Sequence, residues 1–386
     1  MHFTQSQVSK IIEETILKKD GLNTVLKYTL EALMKAERAE YKSQTKAYSN
    51  GYRSRKAFGD KQMIELQVPR TRDGGFYPVI LGLLKNQEQE ARDIAFHLYR
   101  SGLTTGEVGE VFEVIYGNHY STSQVSRMFD VAREDVKRWL ERPLENYYPI
   151  IYIDATFIPT RRVDSVSKEA YYTLLAVRPD RTREVLGVFN FPTEGGKQWE
   201  AIFEQLKSQG LESVGLFVSD GLTGIEDAIW KHFSKADIQL CTVHLQRVFL
   251  KEVKPKHKKE VSEDFKEVFR SDDRHDTNEE AKKRFIEFCN KWSKYYPYFK
   301  RRKENVRNDL YFTYINYHYG IRSMIYSTNW VERLNRDFKR TTRMRGALPN
   351  PEATILLLAG VAMNKKIYQR KVPKLNYEQE KFKWEE

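Results

Sequence analysis

The chain has 386 residues, 40% of them hydrophobic and 31% charged, which is enough for two or three domains with a substantial core. Lys and Arg number 65 against 53 acidic residues, and 13% of the residues are aromatic, so the net charge of +12 favours a nucleic-acid binder, with a merely basic soluble protein as the alternative. Two cysteines exclude a disulfide scaffold and a four-cysteine zinc site, and the lack of a long apolar run or a signal-peptide pattern predicts a cytoplasmic protein without a membrane partner.

Residues 1–86 predict helices followed by a basic segment and two strands. Apolar residues at helical spacing between positions 11 and 34 predict two helices separated at Gly21. Residues 41–60 alternate tyrosines with basic residues, which indicates an arm that lies along DNA, or else a solvated loop. The candidate DNA contacts in this segment are Arg53, Arg55 and Lys56. Strands are predicted from Met63 to Val68 and from Phe76 to Leu81. We expect this region to bind DNA or to pair subunits.

Residues 87–145 predict a helical domain. The three predicted helices are Glu88–Ser101, Thr105–Tyr116 and Thr122–Glu141. Ser121 or Thr122 can cap the third helix, whose polar surface includes Arg127. Three helices with a turn before a polar helix resemble a helix-turn-helix DNA-binding domain, and a plain helical support domain is the alternative.

From Pro149 the pattern changes to one typical of an α/β sheet. Residues 150–153 form an apolar run, as in a strand buried on both faces. Two more strands joined by a short turn follow, and then helices alternate with strands. We therefore predict a mixed sheet with helices packed on it. The predicted boundaries are 146–245 and 321–370 for the sheet domain, 246–320 for an all-helical insertion, and 371–386 for a charged tail.

Two carboxylates directly follow buried strands, namely Asp154 and Asp220. Ligand-binding groups of open sheets often lie at strand ends, because the following loop frees the side chain. An aspartate in this position is also a common turn former, so each residue alone has a structural alternative. The occurrence of both in one basic chain favours a shared site.

A third acidic residue, Glu332, is predicted on a helix with two different faces. At about 100° per residue, Arg336, Lys339 and Arg343 lie within about 40° of Glu332. The opposite face carries Trp330, Val331, Leu334 and Phe338. An acid followed by a row of bases fits a metal ligand beside phosphate-binding residues, or else a solvated face with salt bridges.

Three carboxylates can hold two Mg²⁺ or Mn²⁺ ions, because these hard ions prefer oxygen ligands. Such a pair of ions activates an attacking hydroxyl and stabilises the leaving oxygen of an in-line phosphoryl transfer. No protein nucleophile is required, so the absence of a nucleophile-elbow or phosphate-loop motif does not weigh against this chemistry.

Three segments in this order resemble the Mutator-like transposases, in particular their bacterial insertion-sequence branch. The segments are Val-Ser-Asp-Gly-Leu-Thr-Gly-Ile at 218–225, Gln-Leu-Cys-Thr-Val-His-Leu-Gln-Arg at 239–247 and Ser-Thr-Asn-Trp-Val-Glu-Arg-Leu-Asn-Arg at 327–336. The resemblance extends over about residues 25–370 and implies a ribonuclease-H-like catalytic domain, interrupted by a helical insertion before the last acid. It also implies double-stranded DNA as the partner, both as terminal repeats and as target, and a nucleoid-associated location in a bacterium.

The resemblance maps an Asp-Asp-Glu triad onto Asp154, Asp220 and Glu332, and a Cys-x-x-His motif onto Cys241 and His244. The basic stretch that follows the glutamate corresponds to Arg333, Asn335, Arg336, Lys339, Arg340 and Arg343. One position departs from the family pattern, since Val248 stands where asparagine is common. Two ligands do not make a zinc site, so we expect His244 to bind a phosphate or to position a triad acid, with a buried core histidine as the alternative.

The sequence therefore predicts an insertion-sequence transposase that binds terminal inverted repeats and performs metal-dependent strand cleavage and transfer as a homodimer or larger assembly. Two other classes remain open. A non-catalytic DNA-binding protein derived from a transposase would be favoured by loss of a triad acid. A nuclease or resolvase of the same fold would not need a long N-terminal DNA-binding half.

Overall fold

The computed structural model describes residues 21–59, 62–116, 119–162, 165–191, 196–343, 345–363 and 366–372, together with Gln5. The helix predicted around positions 11–17 and most of the predicted tail lie outside these residues. The chain divides into two compact units, Met1–Arg133 and Glu134–Glu386. Among the described residues, no helix has the length and apolar character needed to cross a bilayer.

In its described residues, the first unit contains a two-stranded antiparallel sheet and four helices, with the start of a fifth. Its elements are α1 (Gly21–Thr45), β1 (Ser49–Phe58), β2 (Met63–Thr71), α2 (Ile80–Arg100), α3 (Thr105–Tyr116), α4 (Thr122–Met128) and α5 (Asp130–Leu140). The boundary between the units falls within α5. Met34 of α1, Leu66 of β2 and Leu84 of α2 belong to one buried cluster. The predicted strand at 63–68 and the predicted helix at 105–116 are confirmed.

Most of the basic segment 41–60 forms regular structure, because it ends α1 and then forms β1. Arg53 lies opposite Val68, and Arg55 lies opposite Leu66, so both arginines are on the face of the sheet that carries apolar side chains of β2. The solvated-loop interpretation is therefore wrong for residues 49–58.

The predicted strand Phe76–Leu81 is wrong, because α2 begins at Ile80. This also corrects the predicted start of that helix at Glu88. A short apolar run fits a buried helix end as well as a strand, and here Leu81 packs against the sheet as part of a helical turn. The carboxylate of Glu37 accepts a hydrogen bond from the N–H of Val79 at 2.7 Å, which satisfies one donor at the start of the helix.

The third predicted helix, Thr122–Glu141, is interrupted and forms α4 and α5. Phe129 lies between them, is buried, and contacts the ring of Tyr99 at 4.8 Å. The predicted cap is confirmed, since the Ser121 hydroxyl accepts a hydrogen bond from the N–H of Gln124 in a capping box.

The second unit contains a five-stranded mixed sheet, as the sequence predicted. Its strands are β3 (Tyr147–Arg161), β4 (Val166–Val177), β5 (Arg183–Phe191), β6 (Ser213–Ser219) and β7 (Asp237–Leu240). They lie in the order β5-β4-β3-β6-β7. The first three in the chain pair antiparallel, whereas β6 pairs parallel to both β3 and β7.

Helices cover both faces of this sheet. The helices of the unit after α5 are α6 (Gly196–Ser208), α7 (Ile225–His232), α8 (Thr242–Lys251), α9 (Lys258–Val268), α10 (Asn278–Ser293), α11 (Pro297–Lys303), α12 (Tyr319–Ile325), α13 (Asn329–Thr342) and α14 (Pro351–Ala362). On one face, Trp199 of α6 contacts Tyr172 of β4. On the other face, Trp330 of α13 stacks on Tyr152 of β3, with ring centroids 5.7 Å apart. Burial of consecutive residues 148–154 follows, since neighbouring side chains of a strand point to opposite faces.

The predicted insertion at 246–320 is helical in its described elements and has an aromatic core. Phe249 at the end of α8 is fully buried and contacts the rings of Phe265, Phe288 and Phe299. Because Phe249 lies on the helix that carries His244, the insertion core supports one element of the sheet domain directly.

A largely buried carboxylate, that of Glu184 in β5, joins the sheet to the segment before β3. It accepts hydrogen bonds from Arg142 at 2.6 Å, Arg178 at 2.5 Å and the Tyr148 hydroxyl at 2.6 Å. Burial alone would raise the pKa of Glu184, but hydrogen bonds from Arg178, Arg142 and Tyr148 outweigh burial and hold the pKa below its usual value.

Replacing Phe249 with alanine should lower the free energy of unfolding of the second unit by about 3–5 kcal/mol, because the cavity removes packing from several rings. All six tryptophans lie after Arg133, so tryptophan fluorescence during urea unfolding reports this unit. Ile286→Ala is the matched control, since 46% of Ile286 is exposed and its loss should cost less than about 0.5 kcal/mol. Equal effects of the two substitutions would contradict the assigned core.

The substitution Glu184→Gln should destabilise the second unit by about 2 kcal/mol at pH 7. This loss is smaller than the loss expected when a fully buried ion pair is broken, because Arg178 is partly exposed and solvent weakens the pair. A carboxylate with a lowered pKa stabilises the fold above its unfolded pKa, and this stability is lost as pH falls through the folded value. The difference between variant and parent should therefore shrink below about pH 4 in urea unfolding. Glu212→Gln, an exposed carboxylate, serves as control, and a difference that persisted at acid pH would contradict the charge-based role.

Candidate active site

The two strand-end aspartates lie beside each other because of the register between β3 and β6. Ile153 lies opposite Ser219 in this parallel pair, so the next residues, Asp154 and Asp220, are neighbours at the carboxyl end of β6. Asp154 continues within the long strand β3, whereas Asp220 follows β6 directly. The structure thus brings together the two carboxylates that the sequence placed at strand ends.

Asp154 is held from two sides and is only 6% exposed. Its Oδ2 accepts a hydrogen bond from the Asn335 side chain at 2.7 Å, and its Oδ1 accepts one from the N–H of Ala155 at 2.9 Å. The pKa of Asp154 is raised to about 6, mainly by burial and further by the charge of Glu332, while the hydrogen bond from Asn335 lowers it. The charge of Glu332 acts on Asp154, so the two carboxylates lie close to each other in one site.

Glu332 lies in the first turn of α13, where an acid is favoured by the helix dipole. Its Oε1 and Oε2 accept hydrogen bonds from the two terminal nitrogens of Arg247 at 3.2 and 3.1 Å. The Thr328 hydroxyl lies 3.4 Å from Oε1 and shares its single proton between this oxygen and Sγ of Cys241. Glu332 is therefore fixed by its own helix and by an arginine of α8.

His244 lies between the aspartates and the glutamate. Ligand atoms of Asp154, Asp220 and His244 all lie within 4.8 Å of one another, and so do those of Cys241, His244 and Glu332. An Arg247 nitrogen lies 3.3 Å from Nε2 of His244, and since arginine only donates, Nε2 accepts and the ring proton is on Nδ1. Burial lowers the pKa of His244, against an increase from Glu332, which agrees with a neutral ring.

The Cys241 thiol is hydrogen-bonded to Thr328 and is not exposed to solvent. It is fully buried, and its Sγ accepts hydrogen bonds from the N–H and the hydroxyl of Thr328 at 3.4 and 3.3 Å. Burial raises the pKa of the thiol, so the protonated form is favoured. Cys241 therefore connects the start of α8 to the start of α13.

The basic residues predicted on α13 are exposed, and its aliphatic residues and Phe338 are buried. The exposed bases are Arg333, Arg336, Lys339, Arg340 and Arg343, and the buried residues include Val331, Leu334 and Phe338. Four of these bases, Arg336, Lys339, Arg340 and Arg343, line a cavity of about 480 Å³. The helix thus presents a continuous cationic surface beyond Glu332.

The predicted DNA contacts of the N-terminal half belong to the first unit and differ in exposure. Arg53, Lys56 and Arg127 are exposed. Arg55 instead forms an ion pair with Glu88 of α2 at 3.2 Å, so part of its charge is used within the unit.

Two features of the site went unpredicted from the sequence. Arg247 lies one helical turn after His244, a spacing that would have placed it on the same face of a helix. Asn335 was expected near the site, but its hydrogen bond to Asp154 depends on how α13 packs on the sheet, which no local pattern reveals.

Comparison with known proteins gives a consistent assignment. The transposase for insertion sequence element IS905 of Lactococcus lactis subsp. lactis (strain IL1403) is 32% identical over 305 residues, 79% of this chain and 76% of that protein. The transposase for insertion sequence element IS1201 of Lactobacillus helveticus is 30% identical over 370 residues, 92% of this chain and 98% of that protein.

A solved structure, a Drosophila P element transposase strand transfer complex, is 12% identical with a TM-score of 0.33, over 72% of this chain and 93% of that one. A similarity at this level carries no argument about the fold. The family described as transposase, Mutator family, matches residues 3–370. With that match over nearly the whole chain, this protein belongs to the Mutator family of transposases.

Proposed function

We propose that the protein is the transposase of a bacterial insertion sequence and that it cleaves and joins DNA strands at the site formed by Asp154, Asp220 and Glu332. One observation carries the proposal, namely the cluster in which the ligand atoms of both aspartates lie within 4.8 Å of His244, while those of His244 and Glu332 lie equally close. Three acidic side chains from two strands and a helix converge there, beside the cationic surface of α13.

The donor set fits a pair of divalent ions. Asp154, Asp220 and Glu332 offer carboxylate oxygens, which Mg²⁺ and Mn²⁺ prefer. Asp154 lies in β3 and Glu332 in α13, and Asp220 directly follows β6. His244 Nδ1 is buried and lacks a hydrogen-bond partner in the described part of the chain, with Glu332 Oε1 3.8 Å away. When bound, the ions would activate the attacking oxygen and stabilise the leaving oxygen of an in-line displacement at phosphorus.

The side chains of this protein would orient the metal-binding carboxylates and donate hydrogen bonds during that displacement. The oxygen of a water or of a 3′-hydroxyl would form a bond to phosphorus and lose its proton. The bond from phosphorus to the leaving 3′-oxygen would break, and this oxygen would take up a proton to become a free 3′-hydroxyl. Asn335 keeps one oxygen of Asp154 oriented, and the N–H of Ala155 holds the other. Neutral His244, whose Nε2 accepts from Arg247, can donate one hydrogen bond from Nδ1 at the edge of the cluster.

A ribonuclease-H-like arrangement is part of the proposal. It is supported by three antiparallel strands followed by parallel β6 and β7, and by acids on β3, after β6 and on a helix packed against β3. The insertion between β7 and α13 fits the long separation between the second and third acids.

DNA would reach the site along α13 and be held further by the first unit. Arg336 and Arg343 lie about 6 and 17 Å along the helix from Glu332, at about 1.5 Å per residue, so the surface can follow several phosphates of one strand. Exposed Arg53, Lys56 and Arg127 of the first unit would bind terminal repeats through the phosphate backbone.

Joining two element ends requires two active sites, so the working form is proposed to be a dimer or larger. The described part of α1 presents exposed apolar side chains, Leu22 and Leu33, that are 58% and 47% exposed. They provide surface for pairing between subunits.

Neutral substitutions at the three acids should abolish cleavage and joining while DNA binding remains. Asp154→Asn, Asp220→Asn and Glu332→Gln each keep the shape of the side chain but remove a charged metal ligand. The measurement is cleavage and strand transfer of labelled element ends with Mg²⁺, together with an electrophoretic binding assay. Asp227→Asn changes an exposed carboxylate on α7 and should leave both activities intact. Near-normal strand transfer by one triad variant would remove that residue from the active site.

Arg336→Lys should slow the chemical step roughly tenfold although the charge is kept, because lysine cannot clamp a phosphate with two parallel hydrogen bonds. Arg343→Ala, further from Glu332, should weaken DNA binding more than it slows chemistry. Single-turnover cleavage at saturating protein separates the two effects, since it reports chemistry without the binding step. Unchanged rates for Arg336→Lys and Arg336→Ala would show that Arg336 does not contact the reacting phosphate and only solvates this face of the helix.

A further inference from the structure

Arg247 contacts two residues of the candidate site, Glu332 and His244. Its two terminal nitrogens donate to the two oxygens of Glu332 at 3.2 and 3.1 Å, and one of them also donates to His244 Nε2 at 3.3 Å. Both partners belong to the group whose ligand atoms could hold a metal ion. A planar guanidinium matches a carboxylate in this two-point geometry.

We propose that Arg247 is a positioning residue that holds Glu332 before a divalent ion binds, and that the ion and the guanidinium compete for this carboxylate. The inference rests on the proposed function, because it assumes that Glu332 is a ligand of the ion. In the metal-free state, Arg247 of α8 would hold the Glu332 side chain in place. When an ion binds, the Arg247 side chain would leave Glu332 and open the site.

The exchange needs only side-chain movement, since the backbones of α8 and α13 are joined independently of Arg247. The N–H and the hydroxyl of Thr242 both donate to the carbonyl of Tyr326 at 3.1 Å. The Sγ of Cys241 accepts the two hydrogen bonds from Thr328 described above. These contacts fix the starts of both helices, so loss of the Arg247 pair leaves the backbone of Glu332 at the same place and frees only its side chain.

Exposure also favours the exchange. The Arg247 side chain is 50% exposed, whereas that of Glu332 is 21% exposed. A long exposed side chain can turn into solvent or onto a DNA phosphate, while the acid stays beside Asp154 and His244. The pair also offsets the repulsion between Glu332 and Asp154, whose negative charges lie close enough to affect each other.

The test is Mn²⁺ binding to the full chain without DNA, measured by electron paramagnetic resonance of the free ion. Arg247→Ala and Arg247→Gln should each bind Mn²⁺ about fivefold more tightly than the parent, because the competing cation is gone. Lys251→Ala is the matched control, since Lys251 lies one turn further along α8 and its charge acts on His244, but it forms no ion pair with Glu332 among the described residues. It should change the affinity by less than about twofold.

A double-mutant cycle separates competition from a general loss of positive charge. In a Glu332→Gln background, removal of Arg247 should no longer tighten Mn²⁺ binding, since the contested carboxylate is absent. A gain as large in that background as in the parent, or no gain in either Arg247 variant, would overturn the inference.

Thermal unfolding gives a second readout that does not need activity. Arg247→Ala should melt at a lower temperature than the parent without metal and should gain more from added Mn²⁺, because ligand binding stabilises the folded state by mass action. An equal gain in both proteins would contradict the competition. If Asp154→Asn and Glu332→Gln bound Mn²⁺ as tightly as the parent, or if no variant bound it saturably, the proposed metal site would fail, whatever Arg247 does.

Discussion

The parallel register between β3 and β6 is the constraint on which the rest of the site depends. Because Ile153 lies opposite Ser219, the residues that follow them bring two carboxylates together at one edge of the sheet. A shift of either strand by one residue would turn one aspartate to the opposite face, where α6 packs. A shift of β3 would also move Tyr152 away from the ring of Trp330, so the side-chain packing on the sheet sets the geometry of the acids.

Carboxylates brought together in this way repel one another and lose solvation, and the surrounding side chains reduce that cost. Asn335 donates a hydrogen bond to Asp154, and Arg247 donates two to Glu332. These two sets of hydrogen bonds differ in how easily they can be broken. The amide of Asn335 is buried and keeps its acid in one orientation, whereas the arginine is half exposed and can leave. One acid is thus held permanently, and the other is held until a stronger cation replaces the guanidinium.

Features that follow from periodicity could be predicted from the sequence, and those that follow from packing could not. The two-faced helix of Glu332 has a clear helical period, and the continuous apolar run before Asp154 is typical of a strand buried on both faces; both elements were found as expected. The run Phe76–Leu81 is too short to show a period, and its helical state depends on burial of Leu81 against the sheet. The interruption at Phe129 likewise depends on a ring contact with Tyr99, which lies far away in sequence. Within the site, the Arg247 pair joins residues that are 85 positions apart, so only the tertiary structure reveals it.

Helix α13 connects the proposed chemistry to the proposed DNA path through its three faces. Val331, Leu334 and Phe338 bury one side against the rest of the unit, and this packing fixes the rotation of the helix. Given that rotation, a helical repeat of about 3.6 residues puts Glu332 and Asn335 next to the strand acids and leaves the bases after them exposed. A phosphate bound by Arg336 would therefore lie within about one helical turn of Glu332. The packing of the apolar side against the core prevents the helix from rotating about its axis. The same apolar stripe that stabilises the fold thus sets the distance between the DNA backbone and the acids, which explains why a site for strand transfer can be built on a helix rather than on a flexible loop.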